Sequence, residues 1–545
     1  MRLSSIILIV LLITCVKSDN WNGWSLNDNN DRFQQSSLPV KVPSDHPEPA
    51  QFKVKWYFKT DGPVSATPTV FDNRIYIPDN NGSIYSLTLD GKLIWKVSVE
   101  KLLGIKGYNT RNSPVVAKDM IIMGTQTGID TDMQINKVGA SVFALKRSTG
   151  KLIWTKVVDS HRAAIITANP VVVGNRILVG VSSKEETLAD DPKYKCCTFQ
   201  GSVLALNLAD GTLIWKTKML PDNKNKTNAY SGAAVWGSAF SVDRKRNTIY
   251  VATGNNYRLP KSIQKCIGKT KKIRRYFVAD PCQERENYGQ SVLALDISTG
   301  VVRWVQSLGP INAFTQACAR VGNTSKPTGT NCPKNPGPDY DFGQQPILKR
   351  NIAYKFGGEK RDQIYVGQKS GQAYSFDAET GYLIWTVKTG PGSPTGGMEF
   401  GSAADNNYFY AGNNNADYKR YILPNGNKTN SPGWSSINLK TGKIRWTTVD
   451  PHRTGSAFGP LTVWNKLLLV IGGDQPVITE PGQTASTILQ GCVYGLRKSD
   501  GYILYKRCFQ SLIGGGVSVV DKTIYLGVGY DFARPEDGLY ALQLP

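Results

Sequence analysis

The sequence is poor in several things, and each scarcity excludes something. It has only six methionines in 545 residues and few long apolar stretches, which argues against a helical bundle. Beyond the N-terminal segment no apolar run approaches the length of a membrane span, so no membrane-spanning helix is expected in the mature chain. There is no C-x-x-C-H for covalent haem c and no paired C-x-x-C zinc pattern. Acidic residues are short: 42 Asp+Glu stand against 65 Lys+Arg, a formal charge of +23. That balance favours acidic partners or substrates and says nothing about fold.

What is present is 53 glycines, 25 tyrosines, 12 tryptophans and a hydrophobic fraction of 40%. This is ample core material and excludes a disordered chain. Glycine with frequent aromatics points to many short strands joined by tight turns. The N-terminus reads as a secretory signal over residues 1–18. Arg2 is the basic start, Ile6 to Val16 the apolar centre, and Lys17, Ser18 and Asp19 the polar break. The mature chain is expected to be secreted, extracellular or periplasmic. Removing the signal removes Cys15 and leaves eight cysteines. Their spacing suggests local pairs, Cys196–Cys197, Cys266–Cys282, Cys318–Cys332 and Cys492–Cys508, although spacing alone leaves the connectivity open. N-x-[ST] sequons stand at Asn81, Asn225, Asn323 and Asn427.

One phrase recurs along the chain: strand, turn, strand, then a Gly-bearing hairpin and a strand ending in Trp. It runs DGKLIW at Trp95, TGKLIW at Trp154, DGTLIW at Trp215, TGVVRW at Trp304, TGYLIW at Trp385 and TGKIRW at Trp446, with DGYILY ending at Tyr505. The spacings are 59, 61, 89, 81, 61 and 59 residues, a period near 60 with two insertions. Period-two alternation makes the segments strands, and four-stranded units at this period fit propeller blades. The last unit, 514–545, lacks its Trp strand, and FKVKWYF at Phe52–Phe58 supplies one from the other end. The expectation is an all-β, eight-bladed β-propeller over residues 19–545 as one domain, closed by its N-terminal strand. The recurrent tryptophans are read as packing between blades.

The TG-x-hydrophobic-x-W phrase resembles the repeat of quinoprotein dehydrogenases that bind pyrroloquinoline quinone (PQQ), most of all their polyvinyl-alcohol-dehydrogenase-like branch. The phrases that carry the likeness are CCTFQGSVLAL, VWGSAF, YVATGNNY, GPDYDFG, GQKSGQAYSFD and GGMEFGSA. The resemblance implies a vicinal disulfide Cys196–Cys197 against one face of PQQ and Trp236 stacked on the other. It implies Glu185 and Asn255, with Asp341, as ligands of a Ca2+ that also touches PQQ, Glu186 being the fallback for Glu185. Asp341 resembles the catalytic base, with Asp339 the near alternative. Lys369, Arg111 and Thr167 resemble polar contacts to the quinone oxygens and carboxylates; a tricarboxylate requires a basic pocket. Glu399 falls in a similar phrase and is given no role.

The first function expected is therefore a secreted PQQ- and Ca2+-dependent dehydrogenase acting on an alcohol, polymeric alcohols included. No haem domain is attached, so electrons leave through a separate acceptor. The rival is a non-catalytic secreted propeller acting as an extracellular matrix or binding protein, with an acidic extracellular polymer as its partner. The basic cluster Lys269, Lys271, Lys272, Arg274 and Arg275 permits the rival. Nucleic acid is not expected, because neither an interleaved aromatic surface nor a suitable fold accompanies the charge.

Overall fold

The computed structural model describes residues 20–35, 48–104, 108–109, 111–127, 139–270, 280–318, 329–354, 357–452, 455–457, 459–473, 490–530 and 534–545. The signal segment 1–18, the sequon Asn323 and the basic residues Lys271, Lys272, Arg274 and Arg275 lie outside these residues.

Antiparallel sheets follow one another along the chain, as the repeat predicts. The first runs Thr69–Phe71, Arg74–Pro78, Ser83–Thr88 and Leu93–Ser98, each strand paired to the next. The second spans Val115–Ala117 to Leu152–Asp159, the third Val171–Val173 to Leu213–Lys218, and the fourth Ser241–Asp243 to Val302–Ser307. The fifth spans Ile347–Ala353 to Leu383–Lys388, the sixth Ala403–Ala404 to Ile444–Val449, and the seventh Thr462–Trp464 to Ile503–Phe509. A further sheet joins Val517–Val520, Thr523–Val528 and Gly538–Gln543 to Lys53–Lys59 from the opposite end of the chain. Among the described residues no helix is long and apolar enough to cross a membrane.

The sheets stack face to face, so both faces of their middle strands are buried. Ser202–Asn207 (SVLALN) is buried along nearly its whole length for that reason. The joint between sheets is a tryptophan against the next hairpin glycine. Gly211 has φ +71°, and a Cβ there would meet Trp154 at 2.7 Å, so only glycine allows both the turn and the contact. The same joint closes the ring: a Cβ on Gly91 would meet Trp56, in the strand Lys53–Lys59, at 2.8 Å. Trp56 Nε1 donates to Leu89 O at 3.0 Å, and Trp215 Nε1 to Ile297 O at 3.0 Å. Where Tyr505 replaces the tryptophan, its ring meets Phe52 at 5.4 Å.

One element has no counterpart in the repeat. The segment 20–34 runs past the innermost strands of successive sheets. Trp21 pairs with Val70, Asn22 with Val116, Asp28 O accepts from Val242 N, and Asn29 O from Leu348 N. Asp31 O then accepts from Ala404 N, and Arg32 O from Val463 N. Arg32 is fully buried; its guanidinium donates to Leu461 O at 2.7 Å, Val517 O at 2.8 Å and Trp24 O. Burial lowers its pKa to about 9, which leaves it charged at neutral pH. All four expected cysteine pairs are bonded.

Candidate active site

The site is built from loops at the ends of inner strands in the third to sixth sheets. The strand Arg176–Ser183 leads into the one-turn helix Glu185–Leu188, which carries both candidate glutamates. Asn255 follows the strand Thr248–Ala252, and Asp339 and Asp341 precede Ile347–Ala353. Lys369 sits in the turn between Lys360–Gly367 and Gln372–Asp377.

These loops converge on buried acids. Carboxylate oxygens of Glu186, Asp339 and Asp341 lie within 4.8 Å of one another. Asp341 is pinned at both oxygens: Oδ1 accepts from Asn255 N at 2.5 Å and Oδ2 from Trp236 Nε1 at 3.1 Å. Lys369 Nζ lies 3.0 Å from Asp339 Oδ2, 3.9 Å from Asp341 Oδ2, and 5.3 Å from the Trp236 ring centre. Its backbone N–H donates to Asp341 O at 2.9 Å. Asp339 Oδ1 and Asn255 Oδ1 are buried without a hydrogen-bond partner among the described residues.

Electrostatics follow from placing several acids around one lysine. Burial raises Glu186 to about 8, with Asp341 and Glu399 adding to the rise and Lys369 opposing it. Glu399 is raised to about 7, again by burial first. Burial and the charges of Glu186 and Asp341 hold Asp339 well above the usual carboxylate range, against the pull of Lys369. Burial works against the Lys369 ammonium, but the surrounding acids keep it protonated, above its ordinary value.

Glu185 lies outside this cluster, whereas its neighbour Glu186, the fallback expected from sequence, lies within it. Its fully buried carboxylate accepts from Thr198 N at 2.9 Å, Phe199 N at 2.8 Å and the Tyr194 hydroxyl at 3.1 Å. Adjacent residues of one helical turn point in different directions, so one glutamate anchors the cysteine loop while the other faces the acids. Cys196 and Cys197 are bonded to each other and buried with Phe199, Ala234 and Tyr257 in an apolar cluster against which Trp236 packs. Arg111 is tied in through aromatic contacts: its guanidinium lies 5.3 Å from the Phe400 ring, which meets Trp236 edge-on at 6.1 Å. Thr167 is buried with its hydroxyl unpartnered among the described residues, and no contact joins it to the acids.

Three groups were given no role from sequence. Glu399 adds its charge to the cluster. Gln345 Nε2 donates to Trp236 O at 2.7 Å and Ala252 O at 3.1 Å, and so holds the Trp236 backbone. The amide of its neighbour Gln344 is buried and unpartnered among the described residues. The only signal for the glutamines was their place directly after PDYDFG.

The run of repeated sheets that carries this aromatic-walled cluster of acids around one lysine belongs to a class, the PQQ-repeat propellers. The family model described as outer membrane protein assembly factor BamB, built on that repeat, matches residues 48–192 and 287–527. Within the class, the chain belongs to the polyvinylalcohol dehydrogenase family. It is 30% identical over 547 residues to the polyvinylalcohol dehydrogenase of Sphingopyxis sp. strain 113P3, covering 96% of this chain and 74% of that one. Among solved structures, a quinohemoprotein alcohol dehydrogenase of Pseudomonas putida HK5 shares the fold at TM-score 0.66 and 14% identity, covering 96% of this chain and 80% of that one. A europium-containing methanol dehydrogenase does so at TM-score 0.59 and 15% identity, covering 96% and 98%.

Proposed function

We propose that the protein oxidises an alcohol with PQQ and a hard, oxygen-preferring cation, in an eight-bladed ring that forms one domain. Support for the blade count is the run of sheets with at least four strands: among the described residues, six are four-stranded, one five-stranded and one six-stranded. Secretion rests on the N-terminal signal pattern alone.

The observation that carries the activity is Asp341 held between Trp236 Nε1 and Asn255 N, beside Glu186, Asp339 and Lys369. The donor set fits a hard cation: carboxylates of Glu186 and Asp341 with the unpartnered carbonyl of Asn255. Ca2+ is the first candidate. A trivalent lanthanide, such as the europium of one structural neighbour, is the second. Trp236 and the Cys196–Cys197 ring are the apolar walls for a flat cofactor, and Lys369 and Arg111 supply cations for its carboxylates. Bound PQQ would supply a two-electron acceptor for the carbinol hydride, and a separate acceptor would reoxidise it.

The proton goes to this chain. Asp341 has both oxygens engaged, whereas Asp339 Oδ1 is free of partners among the described residues and its carboxyl has a raised proton affinity. Asp339 is therefore the better base, which reverses the order expected from sequence. Lys369, bonded to Asp339 Oδ2, keeps that carboxyl oriented and offsets its charge before it takes the hydroxyl proton.

The test is reconstitution of the purified protein with PQQ and Ca2+ or a lanthanide. Quinone absorbance on the protein and dye reduction dependent on an alcohol are expected. No quinone binding at micromolar concentration with either metal would end the enzyme reading. The non-catalytic, matrix-binding alternative would then stand.

A further inference from the structure

The site loops lie at one end of the strands, where the second strand of a sheet leads to its third and the last strand leads to the next sheet. The other end carries the hairpin turns, and there the notches between neighbouring sheets are copies of one another. One notch, between the fourth and fifth sheets, encloses about 300 Å³, and another, between the sixth and seventh, about 320 Å³. The same framework builds both. Tyr250 and Tyr410 tilt against Trp304 and Trp446 at 6.0 and 6.2 Å, and their hydroxyls donate to Asp243 and Asp405. Trp304 Nε1 donates to Ala378 O at 3.3 Å, and Trp446 Nε1 to Lys498 O at 3.0 Å. Arg303 and Arg445 precede these tryptophans, whereas isoleucine precedes Trp95, Trp154, Trp215 and Trp385.

The charges of the two notches differ. In the first, both lining arginines are matched by acids: Arg303 pairs with Asp296 at 2.5 Å, and Arg246 with Asp243 and Asp362 at 2.7 Å each. Lys245 is its remaining cation, and Glu379 also lines it. In the second, two of those acids are replaced. Asn438 stands where Asp296 stands, seven residues before the arginine, and Ser499 stands where Glu379 stands, directly after the residue that accepts from the tryptophan. Asn438 Oδ1 accepts from Thr441 N and Oγ1 at 3.0 Å, so it brings Arg445 no charge. The acids that remain, Asp405 and Asp500, already have cations: Lys498 at 2.6 Å and Arg497 at 2.6 Å. Arg445 only adds to the pull of Arg497 on Asp500, and its guanidinium lies 5.0 Å from the Tyr408 ring. Arg445 and Lys466 both line the pocket, are both exposed, and form no ion pair among the described residues.

We propose that the notch between the sixth and seventh sheets binds a ring compound that carries an oxyanion, a carboxylate, sulfate or phosphate. The oxyanion meets Arg445 and Lys466, and the ring lies against Tyr408. A cavity of about 320 Å³ is of the size that takes one small molecule. Being at the end of the strands away from the acid cluster, the notch takes no part in alcohol oxidation and stands or falls apart from it.

The experiment is calorimetric titration of the full chain with probes that share one flat ring: 4-methylumbelliferyl phosphate, sulfate and glucuronide, and the neutral glucoside. At least one anion should bind about ten-fold tighter than the glucoside, with a Kd that rises with salt. The tightest of the three identifies the oxyanion. Asn438→Asp gives Arg445 the partner that Arg303 already has, and should weaken that binding about ten-fold. Its fold is safe, because Asp296 makes the same turn bonds, to Thr299 N and Oγ1. Lys466→Gln should weaken binding by about as much, and Ser499→Glu in the same direction. Arg303→Gln, in the neutralised notch, should leave Kd within about two-fold. Binding of none of the anions, equal binding of the glucoside, or binding indifferent to both Asn438→Asp and Lys466→Gln overturns the proposal. Equal affinity for inorganic phosphate alone overturns the role given to the ring and Tyr408.

Discussion

The outer rim and the central site use tryptophan in opposite ways. On the rim, Trp56, Trp154, Trp215 and their equivalents each press on a hairpin glycine of the next sheet. At the centre, Trp236 is half-buried and its indole N–H is spent on a carboxylate, Asp341. The rim repeats one solution because every sheet has the same neighbour problem. The centre cannot repeat, because a single ligand meets each sheet from a different side. Stability is therefore spread around the ring, while function is gathered in the loops of a few sheets.

The sharpest way to break this contrast is at the acids. Asp339→Asn should lower kcat about a thousand-fold while cofactor affinity changes only slightly, since the lost group is a proton acceptor and not a ligand. Asp341→Asn should instead weaken metal binding, read by calcium titration. Turnover retained by Asp339→Asn would return the base to Asp341.

Next come the tryptophans. Trp215→Ala removes a near-buried indole and its bond to Ile297 O; it should cost about 3–5 kcal/mol in chemical denaturation. Trp236→Ala, which removes a half-buried indole and its bond to Asp341, should cost less, about 1–3 kcal/mol, and abolish quinone binding. Equal destabilisation by the two changes would erase the distinction between rim and centre.

The same contrast explains what was legible in the sequence. The joints were readable because Gly and Trp recur at a fixed period, and the orphan Trp56 strand could be matched to the incomplete last unit. The site was readable only through phrases, which located loops without orienting side chains. Glu185 and Glu186 are adjacent, and no pattern says which carboxylate turns toward the backbone of Thr198 and which toward Asp341. The choice between Asp339 and Asp341 as base has no sequence signal for the same reason, since it depends on which oxygen finds the Trp236 indole. The segment 20–34 carried no repeat and no motif, so its passage across the inner strands had no sequence signal. Its anchor, Arg32, looks in sequence like any other surface arginine.

Glu185 offers a smaller test of the anchoring it performs. Glu185→Ala leaves the N–H groups of Thr198 and Phe199 without their acceptor, at about 1–3 kcal/mol. Cys196 and Cys197 immediately precede those residues, so reduction of their bond, followed by thiol alkylation, should become faster. A metal affinity that falls in Glu185→Ala as far as in Glu186→Ala would reinstate Glu185 as a ligand.

The smallest expected effect concerns pH, and its direction follows from the burial of the acids, to which their crowding adds. Glu399 is raised to about 7 and Glu186 to about 8, from an ordinary value of 4.5. Between 4.5 and these values the folded protein binds more protons than the unfolded chain. Stability from this source is therefore fully present below about pH 4.5, falls as pH rises through the window, and is lost above about 8. The metal-free protein should unfold a few degrees lower at about pH 8.5 than at about pH 5. A bound cation takes the place of those protons, so Ca2+ should raise the unfolding temperature more at the higher pH than at the lower. Rim residues such as Trp215 carry no titrating group, and Trp215→Ala should shift both temperatures equally. A metal-free protein that is equally stable at both pH values would show that the fold does not raise the proton affinity of the central acids, and the cation site would lose its physical basis.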